Sequence, residues 1–107
     1  MEQITRPLPI GMTIGQDKHR DFDLRAPLVE DMVEAEKTCD PRLIHAFNVA
    51  LLTRVVTRVG TFSGPFTANM FTRLKRADYN AFISALLEVE ELGEDESGAA
   101  ATSTAVS

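Results

Sequence analysis

Leu43-Ile-His-Ala-Phe-Asn-Val-Ala-Leu-Leu-Thr-Arg-Val-Val-Thr-Arg-Val59 is the most apolar long stretch of this chain. Read as one helix, it runs for about four and a half turns. Leu43, Phe47, Ala50, Leu51 and Val55 share a face, while Ile44, Leu52, Val56 and Val59 widen it well beyond the roughly 100° stripe of a surface helix. Such a helix needs cover on several sides, and a chain of 107 residues has little to spare. A partner is therefore expected, with Ile44, Phe47, Leu51, Leu52, Val55 and Val56 as candidate partner-binding residues.

Working outward, Asp40-Pro41 reads as an N-cap and a first helical position, and Gly60 as a C-terminal stop. The long helix is thus expected over Pro41 to Val59. Upstream, Pro27 suits a first helical turn, and Leu28 to Thr38 reads as a helix with Leu28, Val29, Met32, Val33 and Ala35 as its apolar stripe. Its acidic start suits the positive end of the helix dipole. Before it, Met12 and Ile14, then Phe22 and Leu24, alternate with polar residues around the turn-like Gly15-Gln-Asp-Lys-His19, which predicts a β-hairpin. Such a hairpin is marginal alone, so Ile14, Phe22 and Leu24 should face a helix. Met1 to Pro9 reads as an extended arm. Downstream, a short helical segment starts at Pro65 or Thr67 and reaches about Leu74. A last helix takes Ala77 to Leu92, stopped by Gly93. The expectation is one domain over residues 1–93, mainly α with a small β-hairpin (α+β), the hairpin packed on a three- to four-helix bundle. The acidic, then Ala-, Ser- and Thr-rich segment 94–107 is expected to be a disordered tail.

Composition narrows the class. A hydrophobic fraction of 44% and a charged fraction of 25% fit a globular protein. No apolar run approaches the roughly 20 residues of a membrane-spanning helix, and Met1 to Ile10 lacks a signal-peptide pattern. Cys39 is the one cysteine, so no internal disulfide is possible and a reducing cytoplasm is the natural reading. A net charge of −5 argues against nucleic acid, which needs clustered cations. The charge is uneven. Arg54, Arg58, Arg73, Lys75 and Arg76 lie mid-chain, and no Lys or Arg follows Ala77, whereas Glu88, Glu90, Glu91, Glu94, Asp95 and Glu96 do. That end is either a solvated acidic terminus or a face that docks on a basic partner.

Catalytic chemistry finds no footing. His19 and His45 are the only histidines, and no metal-ligand spacing is present. Cys39 and His45 fall on different azimuths across a helix start, and Asp31 with Glu34 reads as a solvated pair. Gly60-Thr-Phe-Ser-Gly64 has no following lysine and is no phosphate loop. Neither an enzyme nor a bound cofactor or metal is expected.

The order of features resembles a known family. An arm and hairpin lead to Leu24-Arg25-Ala26-Pro27, an acidic helix with Asp31, a long apolar helix, a loop, and Leu74-x-x-x-Asp78-x-x-x-Phe82 entering the last helix. Over roughly Pro7 to Leu92 this looks like the small tail assembly chaperones of long-tailed bacteriophages and prophages, the Mu-like and related contractile-tail phages among them. Arg73-Leu-Lys-Arg-Ala77 is more basic than the family's usual segment before the Asp. The resemblance implies a non-enzymatic protein of the host bacterial cytoplasm. It would bind the helical tape measure protein and keep it soluble during tail tube assembly. It also implies a longer frameshifted form. The surplus apolar helix surface predicts a homo-oligomer, and the charge and hydropathy predict no nucleic-acid or membrane partner. A structural virion subunit is the alternative, and a small DNA-binding regulator a more distant one.

Overall fold

The computed structural model describes residues 3–96, with side chains through residue 92. The elements are β1 (Gln3–Ile14), β2 (Asp17–Arg25), α1 (Val29–Thr38), α2 (Ile44–Val55), β3 (Val56–Val59), α3 (Ala68–Thr72) and α4 (Arg76–Glu96). The expected mainly α bundle does not form. The fold is an α+β mix: an antiparallel sheet in the order β1-β2-β3, accompanied by four helices.

Val56 decides the difference. The apolar stretch is helix only to Val55 and then strand, with Val56 at φ −78° and ψ 123°. Val55, Val56, Thr57 and Val59 are β-branched, and such side chains favour the pleated backbone. Across β2, Phe22 pairs with Val59, Asp23 with Arg58 and Leu24 with Val56. The Arg58 guanidinium donates to both Asp23 oxygens, at 2.9 and 2.8 Å. The overly wide apolar face was two periods read as one, 3.6 up to Val55 and 2 beyond it.

The Pro-containing arm is also strand. Gln3 to Pro7 pair with Pro7's partner Asp21 through Arg25, and Met12 to Ile14 pair with Asp17 to His19, on either side of a register shift. Ile4, Leu8 and Met12 are buried, and α4 packs across β1 and β2. The apolar face of the sheet meets the helices, and the opposite face is polar, with Thr5, Asp23 and Arg58 linked across all three strands. One dry and one wet face is usual for an antiparallel sheet.

Phe22 and Leu24 are fully buried. The Phe22 and Phe82 rings lie 4.2 Å apart, centroid to centroid, and Phe71 meets Phe82 edge-on at 5.4 Å. Leu52, Val55 and Val59 complete this centre. Thr67 to Leu92 resolves into two helices, α3 and α4, and α4 continues through Gly93 to Glu96 rather than stopping there. The remainder of the expected tail, residues 97–107, lies outside the described residues.

Gly60 makes the turn after β3 at φ +60°, and a Cβ there would sit 2.0 Å from His19 Nδ1. Gly60→Ala is expected to cost about 1–2 kcal/mol from the left-handed backbone alone, plus the displacement of His19. In urea denaturation, adding His19→Ala should recover part of the loss. A Gly60→Ala midpoint equal to wild type would refute this account.

Candidate interaction surfaces

Among the described residues, two carboxylates are wholly buried, Asp31 and Asp78. Both belong to the motifs singled out in the sequence. Asp31 lies in the first turn of α1, where it accepts Leu28 N–H at 2.7 Å, the carboxylate half of a capping box. Arg25, at the end of β2, grips it through both guanidinium nitrogens at 2.7 and 3.0 Å. Arg54, in the last turn of α2, donates Nε at 2.9 Å. Arg25 also donates to the Arg54 carbonyl. One carboxylate thus ties a strand and two helices together. The Arg25 hydrogen bond, aided by Leu28 N–H and Arg54 and opposed by burial, holds it far below the usual carboxylate range. So firmly ionised a group is no proton carrier near neutral pH; its role here is to hold the fold.

Asp78 lies in the first turn of α4 and accepts Ile10 N–H at 2.9 Å and Gly11 N–H at 3.2 Å. These two backbone groups fall where β1 loses its pairing with β2, between Pro7 and Met12. Burial would leave such N–H groups costly without a partner, so Asp78 completes the sheet edge from a helix.

The six candidate partner residues separate. Ile44 is 61% exposed and Phe47 half-buried, whereas Leu51, Leu52, Val55 and Val56 belong to the core. In this fold the side chains of Leu52 and Val56 are already part of the buried core. A continuous stripe of uncovered apolar side chains lies on α1. Val29 is 76% exposed, Met32 43% and Val33 45%. At 100° per residue these three span one stripe, and Asp31 and Ala35 occupy the opposite, buried side. The expected inward stripe of α1 points outward because Asp31 must meet two arginines. Its sequence signal was Arg25 six residues before Asp31, a pair that local helix periodicity does not register.

A groove of about 490 Å³ opens between α2, α3 and the start of α4, its walls including Val49, Phe71 and Leu74. At its edge Tyr79 Oη is 2.8 Å from His45 Nδ1 and accepts from Asn48 Nδ2 at 3.3 Å. No family model, curated protein or solved structure matches the chain.

What remains is the geometry itself. Among the described residues, no three His, Cys, Asp or Glu side chains converge as a metal site would need, and no helix is long and apolar enough to cross a membrane. Among the same residues, every buried side-chain nitrogen and oxygen has a hydrogen-bond partner. The distinctive surface is the unpartnered helix face of Val29, Met32 and Val33, fixed by Asp31 behind it. A surface of that kind suits the apolar side of another helix.

Proposed function

We propose that the chain is a tail assembly chaperone that holds a helical tape measure protein in solution while a phage tail tube is built. The observation that carries this reading is the outward apolar face of α1, with Val29 as its most exposed large side chain. The Leu24-Arg25-Ala26-Pro27 and Asp31 elements of the resemblance support it, because they set that face outward. In this reading the protein works in the host cytoplasm, without catalysis, and a longer frameshifted form shares the same body.

Co-expression with a tape measure fragment tests it. Wild-type protein should raise the soluble fraction of the fragment several-fold and co-purify with it. Val29→Asp together with Met32→Asp should abolish both effects while leaving the urea midpoint nearly unchanged, since both side chains are already exposed. Client binding through this face should also survive added salt, since screening acts chiefly on exposed charges. A wild-type protein that neither binds nor solubilises the fragment would sink the proposal. So would a double variant that performs as well as wild type.

A further inference from the structure

The chain has eleven Lys and Arg residues, and they divide by position. Arg6, Arg25, Lys37, Arg42, Arg54 and Arg58 each pair with a carboxylate. Lys18, Arg20, Arg73, Lys75 and Arg76 are exposed and make no ion pair within the described residues. These five gather at one end of the molecule. Lys18 and Arg20 lie over Gly11, where a Cβ would come within 2.8 Å of Lys18 Cε and 3.0 Å of Arg20 Cδ. Lys18, Arg73 and Lys75 rim a groove of about 620 Å³ between the hairpin and the α3–α4 turn, and Met12, Ile14, Met70 and Leu74 supply its apolar walls. Arg76 follows at the first residue of α4. The carboxylates beside them are Asp17 at the hairpin turn, Asp21 and Asp23 farther along β2, which both pair with Arg58, and Asp78 in the first turn of α4, which is engaged by two backbone N–H groups.

The far end of α4 has the opposite character. Its last turns contain Glu91, Glu94, Asp95 and Glu96 and no Lys or Arg in the sequence, with Leu92 exposed among them and Leu87 exposed just before. Cations at a helix start and carboxylates at its end oppose the preference of the helix dipole. The arrangement therefore weakens the helix locally and strengthens the charge separation along it. An acidic segment that shows leucines matches a groove with a basic rim and apolar walls. The helix is about 30 Å long, so its own end cannot bend back into the groove at its start.

We propose that the groove between the hairpin and the α3–α4 turn receives the acidic C-terminal end of α4 from a second copy of this chain. The contact joins two different surfaces, so it repeats head to tail and gives a ring or an open chain. It involves neither α1 nor a client, and it stands independently of the chaperone reading.

Sedimentation of the full chain tests it. Wild-type protein should associate at 0.05 M salt and dissociate toward 1 M, where the screening length shrinks to about 3 Å. Arg73→Glu with Lys75→Glu should be monomeric at low salt, as should Glu91→Lys with Glu94→Lys and Asp95→Lys. Mixed in equal amounts, the two variants should associate again, because each offers the charge the other lacks. The neutral pair Arg73→Gln with Lys75→Gln should weaken association at least tenfold and serves if reversal disturbs folding, which circular dichroism reports. A monomeric wild type at low salt would overturn the proposal, as would association indifferent to these changes or a mixture that stays monomeric. So would a wild type that stays monomeric while binding a short DNA duplex through Arg73 and Lys75, which would assign the groove to nucleic acid.

Discussion

Asp31→Ala is expected to destabilise the protein by about 3–5 kcal/mol, the range for breaking a buried ion pair from one side. The side chain is fully buried, and its loss leaves Arg25 and Arg54 beside each other without their shared carboxylate. It also leaves Leu28 N–H without its acceptor. Against a total of about 5–15 kcal/mol for a domain, that is a large fraction. The exposed Arg42–Asp40 pair is the control: Asp40→Ala should move the midpoint little, since surface pairs contribute about 0–1 kcal/mol. The pH dependence follows from sign. Asp31's folded carboxyl lies below its unfolded value, so the unfolded chain binds the extra proton as acid is added. The stabilisation is complete above about pH 4, the ordinary Asp value, and fades as pH falls from there toward the folded value. Asp31→Asn should therefore flatten the acid limb of a stability-pH profile without removing it. Asp23, lowered chiefly by its hydrogen bonds to Arg58, still contributes. Urea titrations of wild type and both variants between pH 2 and 7 measure this. Equal stability of Asp31→Ala and wild type at pH 7 would end the claim that this carboxylate joins β2, α1 and α2.

How much of this was legible in the sequence depends on the range of the interaction. The hairpin was readable because Phe22 and Leu24 alternate with Asp21 and Asp23 next to a turn, all local signals. The last helix was readable from Phe82, Leu86 and Val89 at helical spacing. The helix-to-strand change at Val56 was not, because no loop residue marks it. The β-branched run from Val55 to Val59 was the available clue, and Arg58 opposite Asp23 the confirming one. The strand in the arm is hidden in the sequence because Pro7 and Pro9 read as breakers, although an edge strand tolerates proline where its N–H is not needed. The candidate site suffered from the same cause. Once Val56 enters the sheet, Leu52 and Val55 join the core, and a stripe of exposed apolar side chains remains on α1. Asp31 fixes that outcome through Arg54, 23 residues away, a separation beyond any local pattern. The acidic end of α4, by contrast, was plain in the sequence; what was missing was the basic groove, whose members come from β1, β2, α3 and the α3–α4 turn.

Phe82→Ala should be comparably severe, about 3–5 kcal/mol, the range for removing a large buried aromatic. Its ring is fully buried between Phe22 of β2 at 4.2 Å and Phe71 of α3 at 5.4 Å. Aromatic pairs add about 0.5–1.5 kcal/mol beyond the area they hide, so this position joins the sheet, α3 and α4 in one contact. The Leu74-x-x-x-Asp78-x-x-x-Phe82 spacing explains why the ring arrives there. Residues four apart share a helix face, so once Asp78 engages Ile10 and Gly11 on β1, Phe82 one turn later must meet the sheet as well. Leu86 and Val89 continue the same buried side. Leu87, on the opposite side and 59% exposed, is the internal comparison, and its replacement by Ala should cost under about 1 kcal/mol. Leu51→Ala and Leu52→Ala should fall between, at about 2–5 kcal/mol, because α2 is covered by the same core. Phe82→Leu should retain part of the loss by keeping volume while removing the ring contacts. Chemical denaturation of the five variants gives the ordering directly. If Phe82→Ala shifts the midpoint no further than Leu87→Ala, the three rings are not the centre of this fold, and the spacing that leads from Asp78 to Phe82 has another cause.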